Sequence, residues 1–351
     1  MNNIYRIAAD WLVKKRRFAL AVILDARGSA PQGAGAAALF SPQALIEGTV
    51  GGGLLENAVR KKAKDALKKG HPRIMNFVLK GKSTESESPI CGGEVRVLID
   101  PCPAKSLNAF RRFKRSHEAH EEGILATSIR LLSADQVVLR RDWLAAGKLA
   151  SLHPKVAGIL STGEALLVER RARKAGGESG LLFLEPLLPP ARLVIAGAGH
   201  IGRAVSHLGR LLDFEVTVID DRREFANRAN LPDADRIIRS DIGQALRVFP
   251  FSPETYVVIA TRGHAGDADA LQACVRSKAG YIGMVGSRTK VDLMRREFLA
   301  RGWATPGQIG RVRSPIGLPI RSKSVQEIAV SIAAELVLAR RENREGKASR
   351  P

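Results

Sequence analysis

Cys91-Gly92-Gly93 brings a thiol to the start of an alternating run, Glu94-Val95-Arg96-Val97-Leu98-Ile99, beside two residues with no side chain to shield it. Glycines let backbone approach a ligand closely and leave amides free to face negative charge. The same setting favours the thiolate, the form that binds metals and attacks electrophiles. Alone, the stretch reads more readily as a glycine-rich strand start with an incidental cysteine. Its weight comes from other stretches able to hold an anion. Gly197-Ala198-Gly199-His200-Ile201-Gly202 has the spacing of a dinucleotide loop. There the first glycine makes the turn, the second admits a pyrophosphate and the third packs helix on strand, with free amides at the helix start. Asp220, with Asp221 second, stands about 20 residues on, where a ribose hydroxyl acceptor belongs. Thr261-Arg262-Gly263-His264 and Gly286-Ser287-Arg288 pair glycine with arginine, suiting an anion, although both also read as ordinary loops with helix caps. His264 has the chemistry for proton transfer, but a lone loop histidine is more often a hydrogen-bonding residue. Nearer the N-terminus, Gly28-Ser29-Ala30-Pro31 follows a strand pattern, and Gly48-Thr49-Val50-Gly51-Gly52-Gly53-Leu54-Leu55-Glu56 runs from a strand into a helix. Three successive glycines cost conformational entropy, so a second anion cradle at Gly51, Gly52 and Gly53 outweighs a plain turn. Glu56 either orients a ligand or favours its helix start.

These stretches need two frameworks. Pro186-Leu187-Leu188-Pro189-Pro190 interrupts the chain, and the pattern changes after it. Short apolar runs at 192–196, 215–219, 236–238, 255–260 and 280–285 alternate with helical periods ending near 212 and spanning 266–277, 288–301 and 325–341. That alternation predicts a doubly wound parallel sheet of Rossmann type. Before the break, helical patterns at 2–16, 53–69 and 104–119 mix with strands at 18–25, 36–40, 74–79, 94–99, 124–131, 135–140, 165–170 and 181–185, which points to α+β. The expected organisation is an α+β domain over 1–189, an α/β Rossmann domain over 190–341 and a flexible tail over 342–351.

The 351 residues carry a net charge of +21, spread through both halves rather than gathered in a tail. Nucleic-acid binding is disfavoured by 5% aromatics and by the lack of basic and aromatic interleaving. An acidic partner or an anionic small ligand suits the charge as well. No apolar run reaches the ~18 to 20 residues of a membrane span, and the N-terminus does not read as a signal peptide. Three widely spaced cysteines, Cys91, Cys102 and Cys274, fit a reducing compartment, so a cytoplasmic protein is expected.

Taken together, GSAP at 28–31, GTVGGGLLE at 48–56, CGG at 91–93, GAGHIGRA at 197–204, DDRREFAN at 220–227, TRGH at 261–264, YIGMVGSRTK at 281–290 and SPIGLPI at 314–320 resemble the xanthine dehydrogenase accessory factor family, XdhC/CoxI. The helix QEIAVSIAAELVLARR at 326–341 fits too, and 104–185 carries no motif of it. The resemblance implies an accessory protein rather than an enzyme. Such a protein binds the molybdenum cofactor (molybdopterin), protects it while a cysteine desulfurase helps replace an oxo ligand by sulfido, and delivers it to an apo molybdenum hydroxylase. It implies that Cys91 contacts the cofactor, with the molybdenum as the candidate contact, since a thiolate is a soft ligand for a sulfur-ligated metal. It further implies that Gly92, Gly93, Ser29, the 51–53 glycines, Glu56, Gly197, Gly199, His200, Gly202, Asp220, Arg262, His264, Gly286, Ser287 and Arg288 are its binding surfaces for the pterin phosphate or an attached nucleotide. Gln32 stands where the family commonly has arginine, removing a charge from that anion site. An NAD(P)-dependent oxidoreductase using the 197–202 turn, with Cys91 or His264 as catalytic group, is the competing reading. A homodimer is compatible with burying a large, labile cofactor in a cleft.

Overall fold

The computed structural model describes residues 3–79, 93–101, 103–132, 136–146, 158–160, 162–170 and 180–348. Cys91, Gly92 and Cys102 lie outside them. The chain divides into two compact units, Met1–Pro189 and Pro190–Pro351.

The first unit opens with helix α1 (Asn3–Val13), then strands β1 (Ala19–Arg27), β2 (Ala37–Phe40) and β3 (Leu45–Gly48), helix α2 (Gly53–Lys69), and strands β4 (Arg73–Leu79) and β5 (Gly93–Asp100). The five strands form an antiparallel sheet in the order β3-β2-β1-β5-β4. Successive side chains of a strand face opposite ways, and β1 buries both sets. Ala19, Ala21 and Ile23 pack with Val59, Ala63 and Leu67 of α2. Leu20, Val22 and Leu24 join Tyr5 of α1 and Phe110 and Phe113 of helix α3 (Leu107–Glu118). A second antiparallel sheet follows, ordered β7-β6-β9-β8, from β6 (Gly123–Leu131), β7 (Val137–Ala145), β8 (Leu166–Arg170) and β9 (Gly180–Leu187). Its Leu125, Ile129, Trp143 and Phe183 complete the core that α1 and α3 share.

The second unit bears out the doubly wound reading. Strands β10 (Arg192–Ala196), β11 (Glu215–Asp220), β12 (Arg236–Arg239), β13 (Thr255–Ile259) and β14 (Tyr281–Met284) form a parallel sheet ordered β12-β11-β10-β13-β14. Its central strands β10 and β13 are mainly apolar because both faces are covered. Val194, Val257 and Ile282 meet Leu271 of α6 (Gly263–Cys274) and Phe298 of α7 (Arg288–Ala300). Leu193, Val216 and Val258 meet Val205 of α4 (His200–Leu211) and Ile332 and Leu336 of α9 (Val325–Ala348). Cys274 packs in the first of these layers, where burial pushes its thiol up to about 12 and keeps it protonated.

Some elements depart from expectation. Helices α5 (Ile242–Arg247) and α8 (Pro306–Gly310) have no counterpart in the sequence pattern: each spans only five or six residues, too few to display a period, whereas the edge strand β3 is the strand from which the 48–56 stretch enters its helix. Helix α6 starts at Gly263 rather than near 266, and α9 runs on to Ala348, so 342–348 continue a helix where a tail was expected. No helix of the described residues is long and apolar enough to cross a membrane.

Candidate functional site

Three of the singled-out stretches meet at one end of β1. A bulge between Ile23 and Asp25 carries β1 far enough for Arg27 to pair with Glu94. Gly93 therefore opens β5 directly against the GSAP loop: a Cβ there would stand 2.9 Å from the Arg27 carbonyl oxygen and 3.0 Å from that of Ser29. On its other side the loop touches the triple glycine, where a Cβ on Gly51 would lie 2.6 Å from Cγ of Pro31. Gly51, Gly52 and Gly53 have φ of +121°, +69° and +54°, values that L side chains rarely adopt. Glu56 braces this loop: its Oε2 accepts from Thr49 Oγ1 at 2.7 Å and from the Val50 amide at 3.4 Å. Thr49 Oγ1 in turn accepts from the Gly51 amide at 3.0 Å.

No side chain caps α2, and the missing Cβ positions of Gly52 and Gly53 face open space. Bare backbone at a helix start therefore borders an open hollow of about 310 Å³, lined by Phe40, Ala44, Leu45, Gly53, Glu56, Asn57 and Arg60. Arg60 supplies a positive charge there; Ser29 is exposed and Gln32 half-buried. Gly51→Ala is expected to lower stability by about 2 kcal/mol or more, since it combines a disfavoured φ with a clash on a rigid proline ring. Urea unfolding checks this; a loss below ~0.5 kcal/mol would show that the loop relaxes freely.

In the second unit the singled-out loops line the carboxyl edge of the parallel sheet. Gly197 turns out of β10 with φ +112°, and a Cβ on it would lie 2.3 Å from the Ala260 carbonyl oxygen. One on Gly202 would lie 1.9 Å from the Gly197 carbonyl oxygen. Close packing thus accounts for the first and third glycines. Gly199 caps α4 with φ −67°, no capping side chain and nothing within 4 Å of its Cβ position. His200 is the exposed first residue of that helix.

Asp220 closes β11 and is 1% exposed. Its Oδ2 accepts from the Ala198 amide at 2.7 Å and from Arg222 Nη2 at 2.8 Å; its Oδ1 accepts from Arg222 N at 3.0 Å and Nε at 2.9 Å. Burial raises its pKa, but the bonds from Arg222 and the Ala198 amide outweigh burial and hold it below the usual carboxylate range. The guanidinium carbon of Arg222 stands over the Phe225 ring, 4.0 Å from its centre.

The TRGH and GSR stretches prove to be helix starts. Arg262 is the exposed N-cap of α6, so His264 sits in a helical first turn, its Nε2 3.3 Å from Glu297 Oε2. Ser287 caps α7 by accepting from the Lys290 amide at 3.3 Å, with Gly286 before it and exposed Arg288 after it. One cluster escapes a reading of the sequence. Buried Asp267 accepts from Thr261 N at 3.1 Å and Oγ1 at 2.6 Å, and it pairs with Lys290 Nζ. It ties the loop after β13 to the helix after β14. Spacings of six and 23 residues give no pattern by which to find it. Among the described residues no three His, Cys, Asp or Glu side chains group as a metal site.

Comparison with known proteins matches this division. The sequence model of the XdhC Rossmann domain fits residues 193–336, and that of the XdhC and CoxI family fits residues 11–78. An Escherichia coli K12 relative known as the uncharacterized protein YqeB is 25% identical over 336 residues, covering 95% of this chain and 46% of the relative. A Bacillus subtilis strain 168 protein, described as a probable xanthine dehydrogenase subunit, is 30% identical over 160 residues, 46% of each chain. The chain thus aligns with less than half the length of these curated relatives. A Bacillus halodurans crystal structure described as a xanthine dehydrogenase superposes with a TM-score of 0.76 at 25% identity, covering 99% of this chain and 98% of that one. With one model over the start of its first unit and the other over its Rossmann unit, the chain belongs to the XdhC and CoxI family.

Proposed function

We propose that this chain is an accessory factor in maturation of a xanthine dehydrogenase-type molybdenum hydroxylase, holding molybdopterin as cargo during sulfuration and passing it to the apo-enzyme. Membership of the XdhC and CoxI family and the likeness to chains named for xanthine dehydrogenase support the accessory role. One observation carries the finer reading: the GSAP loop, the triple glycine and Gly93 meet at one end of β1. Cys91 lies two residues before Gly93 in the chain. The surroundings fit such a cargo. The amides at the start of α2 and the Arg60 guanidinium suit a phosphate, and a thiolate is a soft ligand for a sulfur-ligated molybdenum. A cysteine desulfurase and the apo-hydroxylase are the partners this role requires.

Anaerobic titration of the purified protein with molybdenum cofactor, quantifying bound pterin as its fluorescent oxidation product, tests the reading. Near-stoichiometric retention is expected, falling at least tenfold in Cys91→Ala. Equal retention by both proteins would keep the carrier and remove the thiolate. No retention by folded wild type would discard the carrier and favour a nicotinamide-dependent oxidoreductase.

A further inference from the structure

We infer that the crevice of the Rossmann unit takes a nucleotide whose adenosine ribose carries a phosphate, and refuses one with a free ribose diol. This ligand is independent of the cargo role of the first unit: it belongs to the Rossmann unit, whose fold family implies a dinucleotide. The pyrophosphate end fits such a ligand. Sheet order reverses between β10 and β13, and the crevice beyond the strand ends at that point is where open parallel sheets bind ligands. Gly199 lies there, and nothing in the protein demands a glycine at that position: its φ is ordinary and its Cβ direction is empty. A bare backbone that the chain itself does not require is what a closely approaching phosphate requires.

The ribose end does not fit a free diol. The acceptor for two ribose hydroxyls would be the carboxylate closing β11, and Asp220 has both oxygens filled by four donors while only 1% exposed. Displacing the Ala198 amide would leave a buried donor unpaired, and displacing Arg222 would leave the buried carboxylate without its cation, at a cost that two hydroxyl bonds do not exceed. Asp220 therefore braces the glycine turn. Outside it stand three arginines, Arg222 over the Phe225 ring, exposed Arg223 next in the chain, and exposed Arg239, which stands opposite Asp220 in the β11–β12 register, with exposed Asp221 and Glu224 between and beside them. Planar guanidinium groups in that position suit a ribose phosphate.

Calorimetric titration of the full chain with NADP⁺, NAD⁺ and adenosine 2′,5′-bisphosphate tests this. NADP⁺ is expected to bind at least tenfold tighter than NAD⁺, with the bisphosphate also retained. The Arg223→Ala/Arg239→Ala pair should abolish the preference. Gly199→Ala should fold normally yet bind NADP⁺ at least tenfold more weakly. Equal or tighter binding of NAD⁺, above all if Asp221→Asn removes it, would overturn the inference, as would failure of folded protein to bind any of the three. Pterin retention measured on the same preparations reports separately on the cargo role.

Discussion

Gly202→Ala is expected to disrupt the second unit while leaving the first folded. The new Cβ would stand 1.9 Å from the Gly197 carbonyl oxygen and 3.0 Å from its carbonyl carbon. Both are backbone atoms, and neither can swing aside. Gly197 is itself fixed by its amide bond to the Ile219 carbonyl at 2.8 Å and by its packing on Ala260. Relief therefore means moving α4 off the sheet, which opens its contacts with β10, β11 and α9 in a close-packed layer. A cost above about 4 kcal/mol is expected, at the upper end for single substitutions. The neighbouring Gly199→Ala, with an open Cβ direction and ordinary φ, should change stability by less than ~0.5 kcal/mol. Hydrogen exchange read peptide by peptide separates the two outcomes. Protection of 192–211 should collapse in Gly202→Ala and persist in Gly199→Ala, with β1 and β5 unchanged in both. Similar protection of 192–211 in the two variants would show that the turn is looser than its geometry states.

The contrast between these two glycines marks what the sequence could convey. The spacing of Gly197, Gly199 and Gly202 reveals a turn between strand and helix, and the strand-helix alternation places it in a parallel sheet. Periodicity also locates the central strands, because burial on one face or two writes a pattern of two or of unbroken apolar residues. It cannot show that Asp220 spends its carboxylate on Ala198 and Arg222, since an acid at the end of the second strand reads the same whether free or engaged. Nor can it show that GSAP, the triple glycine and Gly93 touch: they lie far apart in the chain, and a register with a bulge brings them together. The Asp267–Lys290 tie and the buried polar cluster of the first unit are products of tertiary packing alone.

That buried cluster sets the second large expectation: Glu185→Gln should stabilise the first unit at pH 8 and leave it nearly unchanged below pH 4.5. Glu185 on β9 is 3% exposed and accepts a bond from the Tyr5 hydroxyl of α1. Arg141 on β7 is also buried, but its Nη1 is given to Asp100 and to Ser106 Oγ, at 2.5 and 3.0 Å. Burial pushes the Glu185 carboxyl up to about 7, and the pull of the Tyr5 bond and of Arg141 only partly offsets it. A carboxyl raised above its unfolded value of 4.5 binds a proton on folding between those two pH values. Stability from this group is therefore greatest below about 4.5 and is lost as pH rises to about 7, by on the order of 3 kcal/mol. Glutamine keeps an acceptor for Tyr5 and carries no charge to desolvate, so it avoids that loss. It gives up attraction to Arg141, which Asp100 already neutralises, so the desolvation effect wins. Urea unfolding in a Trp303→Phe background, followed by the fluorescence of Trp11 and Trp143, reads the first unit alone. The difference between variant and parent should open between pH 5 and 7 and stay level above; profiles that remain parallel from pH 4.5 to 8 would mean that Glu185 is ionised at no unusual cost.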